Sequence, residues 1–426
     1  MSILKSLFNS NLLASIATLL SGSVVAQLIT LFASPLMTRL YTEEQIGEYT
    51  LFLTAVSMFG TVLCGRYDQP IISEADDRKA HVLVKLCFFI TLAMSVLVGI
   101  GYSVYYRCSG NLHFSIWETF FWLFLLLLLT GIGHILTSYN NRYRQYKLMA
   151  STHVARTVGK EVSMVGLGAA HLGATGLLIS QVLSVGIGLT SQAKGLRANK
   201  GKLRQISRKE MAAVARQHIK QPLFSVPASF ANSYSYSVLN LFVSNLFGNV
   251  ALAHYSLSFR LLGLPLNLIS ANASKAFFEK ASREYDKTGN FRRTFLQTSL
   301  LLAAVAVPMV ILLLLLAPWA FAVFFGEGWE QAGSYVQYLA PLFGVRLVVS
   351  ALTPTMTICK KQNFELLLQL LFVVAIYLVR CFCHSGATME QFLTGISVCF
   401  TVIYILFYLV MLKLSCTKQK GESDIG

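Results

Sequence analysis

The sequence predicts an all-α integral membrane protein of about twelve transmembrane helices, arranged in two pseudo-symmetric six-helix lobes. Three observations lead to this prediction: an apolar composition, a succession of apolar runs along the chain, and an internal repeat. Of the 426 residues, 55% are hydrophobic and 13% are charged, and the mean hydropathy is +0.59. Soluble domains contain a smaller apolar share and more charge, so the lipid bilayer is the expected solvent.

The apolar runs predict helices rather than strands. A bilayer core of roughly 30 Å needs about 20 apolar residues per helix. Because hydrocarbon offers no hydrogen bonds to the backbone, each span is a helix or part of a closed barrel, and residues 121–129 lack the alternation of barrel strands. The predicted spans are 14–38, 48–65, 83–106, 117–138, 152–171, 174–193, 223–246, 250–273, 294–324, 333–357, 363–382 and 391–413.

The distribution of basic residues predicts the orientation. Most of the 35 Lys and Arg residues fall on one side if the amino terminus is inside, in or beside residues 66–85, 142–156, 194–220, 275–293 and 413–420. Such an excess marks the cytoplasmic side, so we expect both termini in the cytoplasm of a bacterial cell and the chain in its inner membrane. This bias also accounts for most of the net charge of +16, and no nucleic-acid partner is needed to explain it.

The first apolar run and the cysteines exclude two other interpretations. Residues 12–37 are too long for the core of a cleaved signal peptide, so we expect a retained first helix. Most of the eight cysteines lie inside apolar spans, where a thiol behaves as a small hydrophobic group. Cys381, Cys383 and His384 are close in sequence but lack an evident fourth ligand, so neither a metal nor a cofactor is predicted.

An internal repeat predicts the two lobes. Residues 40–51 read LYTEEQIGEYTL and residues 246–257 read LFGNVALAHYSL, with matching Leu, aromatic, small and Tyr positions. A polar stripe on the first helix recurs after the same shift: Ser23, Gln27, Thr30, Ser34 and Thr38 correspond to Ser229, Ser233, Tyr236, Asn240 and Ser244. The predicted division is an N-terminal lobe at 1–193, a cytoplasmic linker at 194–222 and a C-terminal lobe at 223–426.

Basic and polar residues at membrane depth are the candidate substrate-binding positions: Arg39, Arg66, Arg156, Lys160, Arg260, Arg346, Asn267, Asn240 and Gln27. Ionisable groups are costly in lipid and usually face a cavity or a partner. Arg156 and Lys160 share one face of the fifth span, and Glu161 is expected on another. A mainly positive set suits a phosphate or diphosphate head group.

Three alternatives in which these residues have no binding role remain open. Short polar side chains can simply hold helices together. Arg156 can snorkel from a helix end, and the buried cations can form structural ion pairs with Glu161 or Asp68. Asp68, Glu161 and Glu118 are candidate carriers of a coupling ion, although Glu118 lies near a predicted interface.

Several segments resemble the polysaccharide-transporter, or Wzx-type, flippases of the multidrug/oligosaccharidyl-lipid/polysaccharide exporter superfamily. They are SGSVVAQLITLFASPLMTRLYTEEQIGEYTLF from Ser21, RYDQPI from Arg66, and FGNVALAHYSLSFRLLGLPLNLISANASKAFFEKA from Phe247. The resemblance implies two six-helix lobes around a cationic cleft that passes an undecaprenyl-diphosphate-linked oligosaccharide to the periplasmic leaflet. Arg39, Arg66 and Arg260 occupy motif positions, whereas Asp68 and Pro70 stand where Glu and Ala are usual.

The predicted function is therefore flipping of a lipid-linked O-antigen or capsule-type repeat unit by alternating access, with ion coupling and no enzymatic activity. The polysaccharide polymerase machinery is a further expected partner. A drug or small-molecule cation antiporter of the same superfamily is the first alternative, but it would be expected to present carboxylates. A membrane-bound sugar polymerase or ligase is the second, but the predicted outer loops are short and present no catalytic group.

Overall fold

The computed structural model describes residues 10–110, 113–359, 361, 363–383 and 386–416. The side chains of residues 10–21, 200, 202, 267, 363, 365 and 366 lie outside this description. Within these limits the chain is helical throughout, which confirms the predicted all-α class.

The helices follow one another with short connections. They are α1 Ser10–Leu40, α2 Glu43–Gly60, α3 Asp68–Ser73, α4 Asp77–Ser109, α5 Ile116–Arg142, α6 Tyr146–Ala169, α7 Gly173–Gly186, α8 Leu189–Gln192, α9 Lys194–Ala198, α10 Lys200–Arg204, α11 Arg208–Gln217, α12 Val226–Pro265, α13 Ala271–Thr288, α14 Arg292–Phe325, α15 Glu330–Leu352, α16 Pro354–Ile358, α17 Asn363–Phe382 and α18 Met389–Cys416. Two π-helical turns, Gln221–Ser225 and Leu266–Ser270, precede and follow α12.

Eight segments of the described chain are long and apolar enough to cross a membrane. The longest, 221–288, contains two of the predicted spans, because Gly248 in α12 has non-helical angles of φ 85° and ψ 177°. Three further helices, α2, α6 and α17, coincide with predicted spans but carry more polar residues or are shorter. The arrangement agrees with the predicted count of about twelve helices.

The chain divides into two compact units, Met1–Ala253 and His254–Gly426. In the first unit, α1 packs against α6 and α4 against α5. Thr42 and Gln45 form a capping box that starts α2, and the Tyr41 hydroxyl donates to the Met164 carbonyl at 2.7 Å. These contacts hold the start of α2 against α6.

The segment predicted as a linker folds onto the first unit. Leu196, Ile206 and Val214 belong to one buried apolar cluster with residues of α3, α4 and α5. The Tyr67 hydroxyl also donates to the Ala215 carbonyl at 3.2 Å. Residues 194–217 are thus a packed part of this unit, while the predicted lobe boundaries stay a prediction.

In the second unit, α15 packs against both α14 and α18. Its close approach to α14 depends on Gly333, where a Cβ atom would lie 2.7 Å from the Ala317 carbonyl oxygen. Elsewhere along the same helix pair, Leu302, Ala306, Leu347 and Ala351 form a buried cluster. Burial of such side chains is a main source of packing stability between these helices.

Candidate functional site

The chain between α2 and α3 of the first unit departs from helical geometry. Residues 61–67 form turns, and Gly65 and Arg66 both have a φ of 60°. Glycine adopts this left-handed conformation readily, but for an arginine it costs about 1–3 kcal/mol. Such strain is concentrated at functional positions in proteins, which directs attention to the RYDQPI motif.

Two buried polar atoms in this motif lack a hydrogen-bond partner within the described part of the chain. They are Arg66 Nε and Asp68 Oδ1. A buried unsatisfied polar atom costs about 1–3 kcal/mol, more if it is charged, so it usually marks a place for a ligand group or water. The motif therefore carries both an unused donor and an unused acceptor.

His134 and Arg156 complete a cluster of ionisable groups around the motif. His134, on α5, interacts electrostatically with Asp68, Arg66 and Arg156. It lies eight residues before the end of α5 at Arg142, or about 12 Å along the helix, and its side chain is nevertheless accessible. We call Arg66, Asp68, His134 and Arg156 the motif cluster.

Arg156 is held by the carbonyl end of α7. Its Nη2 donates to the Val185 carbonyl at 2.9 Å, and its Nε donates to the Ile187 carbonyl at 3.1 Å. The last carbonyls of a helix carry partial negative charge and favour a cation. A Cβ atom at Gly133 would lie 3.4 Å from Arg156 Nη2, so this glycine leaves room for the guanidinium beside α5. These contacts fix Arg156 within the helix bundle.

Lys160 and Glu161 form a separate pair beside α1. Lys160 Nζ lies 3.6 Å from Glu161 Oε1, and the Thr30 hydroxyl donates to the same oxygen at 3.2 Å. Glu161 was expected on a different helix face from Lys160, but the two side chains are long enough to approach each other at this distance. The alternative of a structural ion pair thus describes Lys160, and Glu161 is only 5% exposed.

The polar stripes make contacts between helices in the first unit. Asn240 Nδ2 donates to the Thr54 hydroxyl at 2.9 Å, and the hydroxyls of Thr61 and Ser233 lie 3.0 Å apart. Both contacts connect the first half of α12 with the α2 region. Gln27 is half-buried, and its Oε1 is a further buried atom without a partner among the described residues.

In the second unit the candidate cations are half-buried, and Arg346 lies beside aromatic rings. The Arg346 guanidinium carbon lies 5.4 Å from the centre of the Phe343 ring and 5.9 Å from that of Phe259. Arg260 is half-buried on α12. The side chain of Asn267 lies outside the described residues, although its backbone belongs to the second π-helical turn.

The remaining predicted residues lie away from the motif cluster. Arg39 is exposed in the last turn of α1. Glu118 is exposed and forms a capping box with Ser115, accepting a hydrogen bond from its hydroxyl at 2.8 Å. We therefore leave Glu118 out of the site.

The structure places Arg66, Asp68 and Arg156 within electrostatic range of His134, which the sequence analysis missed. The signal for His134 was a lone ionisable residue in the apolar run of α5. Glu48 was missed too: it is buried and accepts hydrogen bonds from the backbone N–H and Nδ1 of His113 at 3.0 and 2.6 Å. Among the described residues no three His, Cys, Asp or Glu side chains form a metal-binding group, and His384 of the predicted weak cluster lies outside them.

Comparison with known proteins adds a family and a fold. A family described as "Polysaccharide biosynthesis protein" has a profile that matches residues 36–334. No curated protein sequence matches the chain significantly.

Solved structures of transporters share the fold. An inward-facing multidrug resistance MATE family transporter of the MOP superfamily has a TM-score of 0.64 at 14% identity, over 93% of this chain and 94% of that one. Its outward-facing counterpart has a TM-score of 0.59 at 12% identity, over 94% and 95% of the two chains. A MOP superfamily transporter from Pyrococcus furiosus, described as having a binding pocket of reversed polarity, has a TM-score of 0.57 at 14% identity over the same shares.

Proposed function

Because the chain belongs to the polysaccharide biosynthesis protein family and shares the fold of MOP superfamily transporters, we propose that it flips a lipid-linked oligosaccharide across the membrane. The proposed substrate is an undecaprenyl-diphosphate-linked O-antigen or capsule-type repeat unit. It moves from the cytoplasmic to the periplasmic leaflet of a bacterial inner membrane, where polysaccharide polymerase machinery uses it. Both chain termini lie in the cytoplasm in this proposal.

The observation that carries the proposal is the strained Arg66 with its unsatisfied Nε. A diphosphate oxygen supplies the acceptor that Nε lacks, so substrate binding removes the cost of a buried unsatisfied donor. The guanidinium can bind phosphate through two parallel hydrogen bonds. Arg156 adds a second positive charge, because it interacts electrostatically with His134, as Arg66 does.

Asp68 offers a route to ion coupling. Its carboxylate lies within the motif cluster and opposes the binding of an anion there. Protonation removes this repulsion, so proton binding and diphosphate binding at the cluster strengthen each other, and by linkage the effect is reciprocal. Glu161 is a weaker candidate, because it already contacts Lys160 and Thr30.

The alternative substrate class is a cationic drug. The structural relatives include proteins described as multidrug resistance transporters. A cationic drug would be repelled by the two arginines of the motif cluster, with only Asp68 to attract it. Arg39 and Arg260 remain proposed substrate residues because they occupy positions of the resembling motifs, and Lys160 and Arg346 remain so because of their charge and their position on helix faces.

The proposal is tested by matched glycine substitutions. Arg66→Gly removes the guanidinium and relieves the backbone strain, so the protein should accumulate normally while polysaccharide export is lost. Arg144→Gly is the control, because Arg144 also has a positive φ, of 54°, but is exposed and lies in the turn after α5. Arg66→Lys should retain part of the export, since lysine keeps the charge but loses the planar fork.

The measurement is surface polysaccharide in cells that depend on this protein, with protein level and cationic drug resistance recorded in parallel. Normal export by Arg66→Gly at the wild-type protein level would overturn the proposed site. Unchanged export with loss of drug resistance would favour the antiporter.

A further inference from the structure

A basic groove lies on the second unit between α13 and the first turns of α14. Its volume is about 530 Å³, and its lining residues are Lys280, Arg283, Glu284, Lys287, Thr288, Arg293, Thr294 and Gln297. Four of these eight residues are basic and one is acidic. None of them belongs to the site proposed above.

Apolar contacts hold the two walls of this α13/α14 groove together. Phe277 of α13 is 2% exposed, and its ring packs edge-on against those of Phe291 and Phe295. Gly289, with φ 71°, reverses the chain between the two helices. The groove is therefore already shaped before any ligand binds.

The acidic residue of the groove, Glu284, already accepts hydrogen bonds from within the protein. Glu284 accepts hydrogen bonds from the backbone N–H of Thr294 at 3.2 Å and from the Thr294 hydroxyl. Lys280 Nζ donates to Gln297 Oε1 at 3.0 Å, and Arg283 pairs with Glu279 outside the groove at 2.7 Å. Lys287 and Arg293 are exposed, and neither has a hydrogen-bond or ion-pair partner within the described chain.

An exposed apolar face of α14 begins close to the groove. Leu300 and Leu301 of α14 are 77% and 68% exposed, as expected for residues that face lipid. They lie about 10–12 Å along the helix from Arg293, less than half of the hydrocarbon thickness. A second groove of about 530 Å³, apolar and lined in part by Leu296, Leu300 and Val349, begins one turn beyond Arg293.

We infer that the α13/α14 groove binds the anionic head group of a bilayer phospholipid, with the phosphate between Lys287 and Arg293. The acyl chains lie along the exposed apolar face of α14 toward Leu296 and Leu300. A solvated basic face would account for the charges alone, but it would not account for the exposed apolar side chains that begin one turn further along α14. This lipid is a bound constituent of the membrane and is distinct from the transported substrate.

The test measures lipid binding to the intact purified protein in detergent by native mass spectrometry. The probes are dioctanoyl phosphatidylglycerol, dioctanoyl phosphatidylcholine and inorganic phosphate. Arg293→Gln and Lys287→Gln should each weaken phosphatidylglycerol binding about fivefold, and the double variant about 30-fold, from the usual contribution of a basic residue near an anionic membrane surface. Arg293→Lys should retain most of the binding.

Arg292→Gln is the matched control, because Arg292 is an exposed neighbour of Arg293 but does not line the groove. Its binding should stay within twofold of wild type. Equal weakening by Arg292→Gln and Arg293→Gln would show diffuse surface attraction and overturn the inference. So would phosphatidylcholine binding as tight as that of phosphatidylglycerol, or displacement of the lipid by an equal concentration of inorganic phosphate.

Discussion

The basic residues of the two units make different kinds of contact. In the first unit, cations are paired with acids or carbonyls: Arg78 with Glu210 at 2.8 Å, Arg142 with Asp77 at 2.7 Å, and Lys85 with the Ile206 carbonyl at 2.9 Å. In the second, Arg283 pairs with Glu279 at 2.7 Å on an exposed surface, Arg346 lies over aromatic rings, and Lys287 and Arg293 line an open groove. Both units are rich in basic residues, and in the described part of the first unit Arg78 and Lys85 bind the segment 194–217.

The two units also differ in the acidic residues that they bury. The buried acids in the described residues are Glu48 and Glu161, and both belong to the first unit. A cation lost beside a buried acid leaves an uncompensated charge, whereas a cation lost beside an aromatic ring leaves an apolar surface. Stability measurements on single substitutions can therefore distinguish the two environments.

The largest expected effect is at Lys160. Lys160→Met leaves Glu161 without its cation in a buried position, and we expect a loss of about 3–5 kcal/mol in the free energy of unfolding. Thermal or denaturant unfolding of the purified protein measures the loss. Adding Glu161→Gln should restore most of it, and a double variant as unstable as Lys160→Met would contradict the pairing.

Arg142 should have the next largest effect. Its guanidinium donates to the Ile71 carbonyl at 3.2 Å, to the Glu74 carbonyl and to Asp77, and its side chain is 11% exposed. Arg142→Ala should cost about 2–3 kcal/mol, because hydrogen bonds to a charged group are lost together. Arg293→Ala in the second unit is the comparison and should change stability by less than about 0.5 kcal/mol. Similar losses in both variants would remove the proposed difference between the units.

A smaller effect is expected at Arg346. Arg346→Met keeps the apolar stem and removes the charge from the faces of Phe343 and Phe259, for a loss of about 0.5–2 kcal/mol. The same unfolding assay applies. A loss as large as that of Lys160→Met would contradict the prediction that the aromatic contacts account for most of the stabilisation by Arg346.

The smallest effect concerns pH at the loop before α5. The hydrogen bond to Glu48 raises the pKa of His113 above its usual value of 6.5, because it favours the protonated ring. The resulting stabilisation is complete below the usual pKa and is lost as the pH rises through the raised one. The difference in unfolding temperature between wild type and His113→Gln should therefore shrink from pH 6 to pH 9. A pH-independent difference would contradict the charged pair.

Much of the fold could be predicted because the hydropathy of each segment indicates whether that segment lies in lipid or in water. The span boundary before residue 250 was predicted from an apolar run and a repeat, and the structure breaks the helix at Gly248. The low hydropathy of α6 was also evident, and in the structure this helix supplies Arg156, Lys160 and Glu161. The sequence did not predict which group each charged side chain contacts. Lys160 could have faced an anion or its neighbour, and only the rotamer decides between them.

The sequence by itself determined the helical class, the approximate spans, the family and the presence of basic residues within the predicted spans. These follow from composition along the chain, because lipid requires every backbone group to bond within its own helix. The tertiary structure alone decided that Arg66 takes a left-handed conformation, that His134 joins Arg66 and Arg156, and that residues 194–217 pack onto the first unit. These features depend on how helices far apart in sequence are placed and rotated against one another, so that close packing and satisfied charges, rather than local hydropathy, determine them.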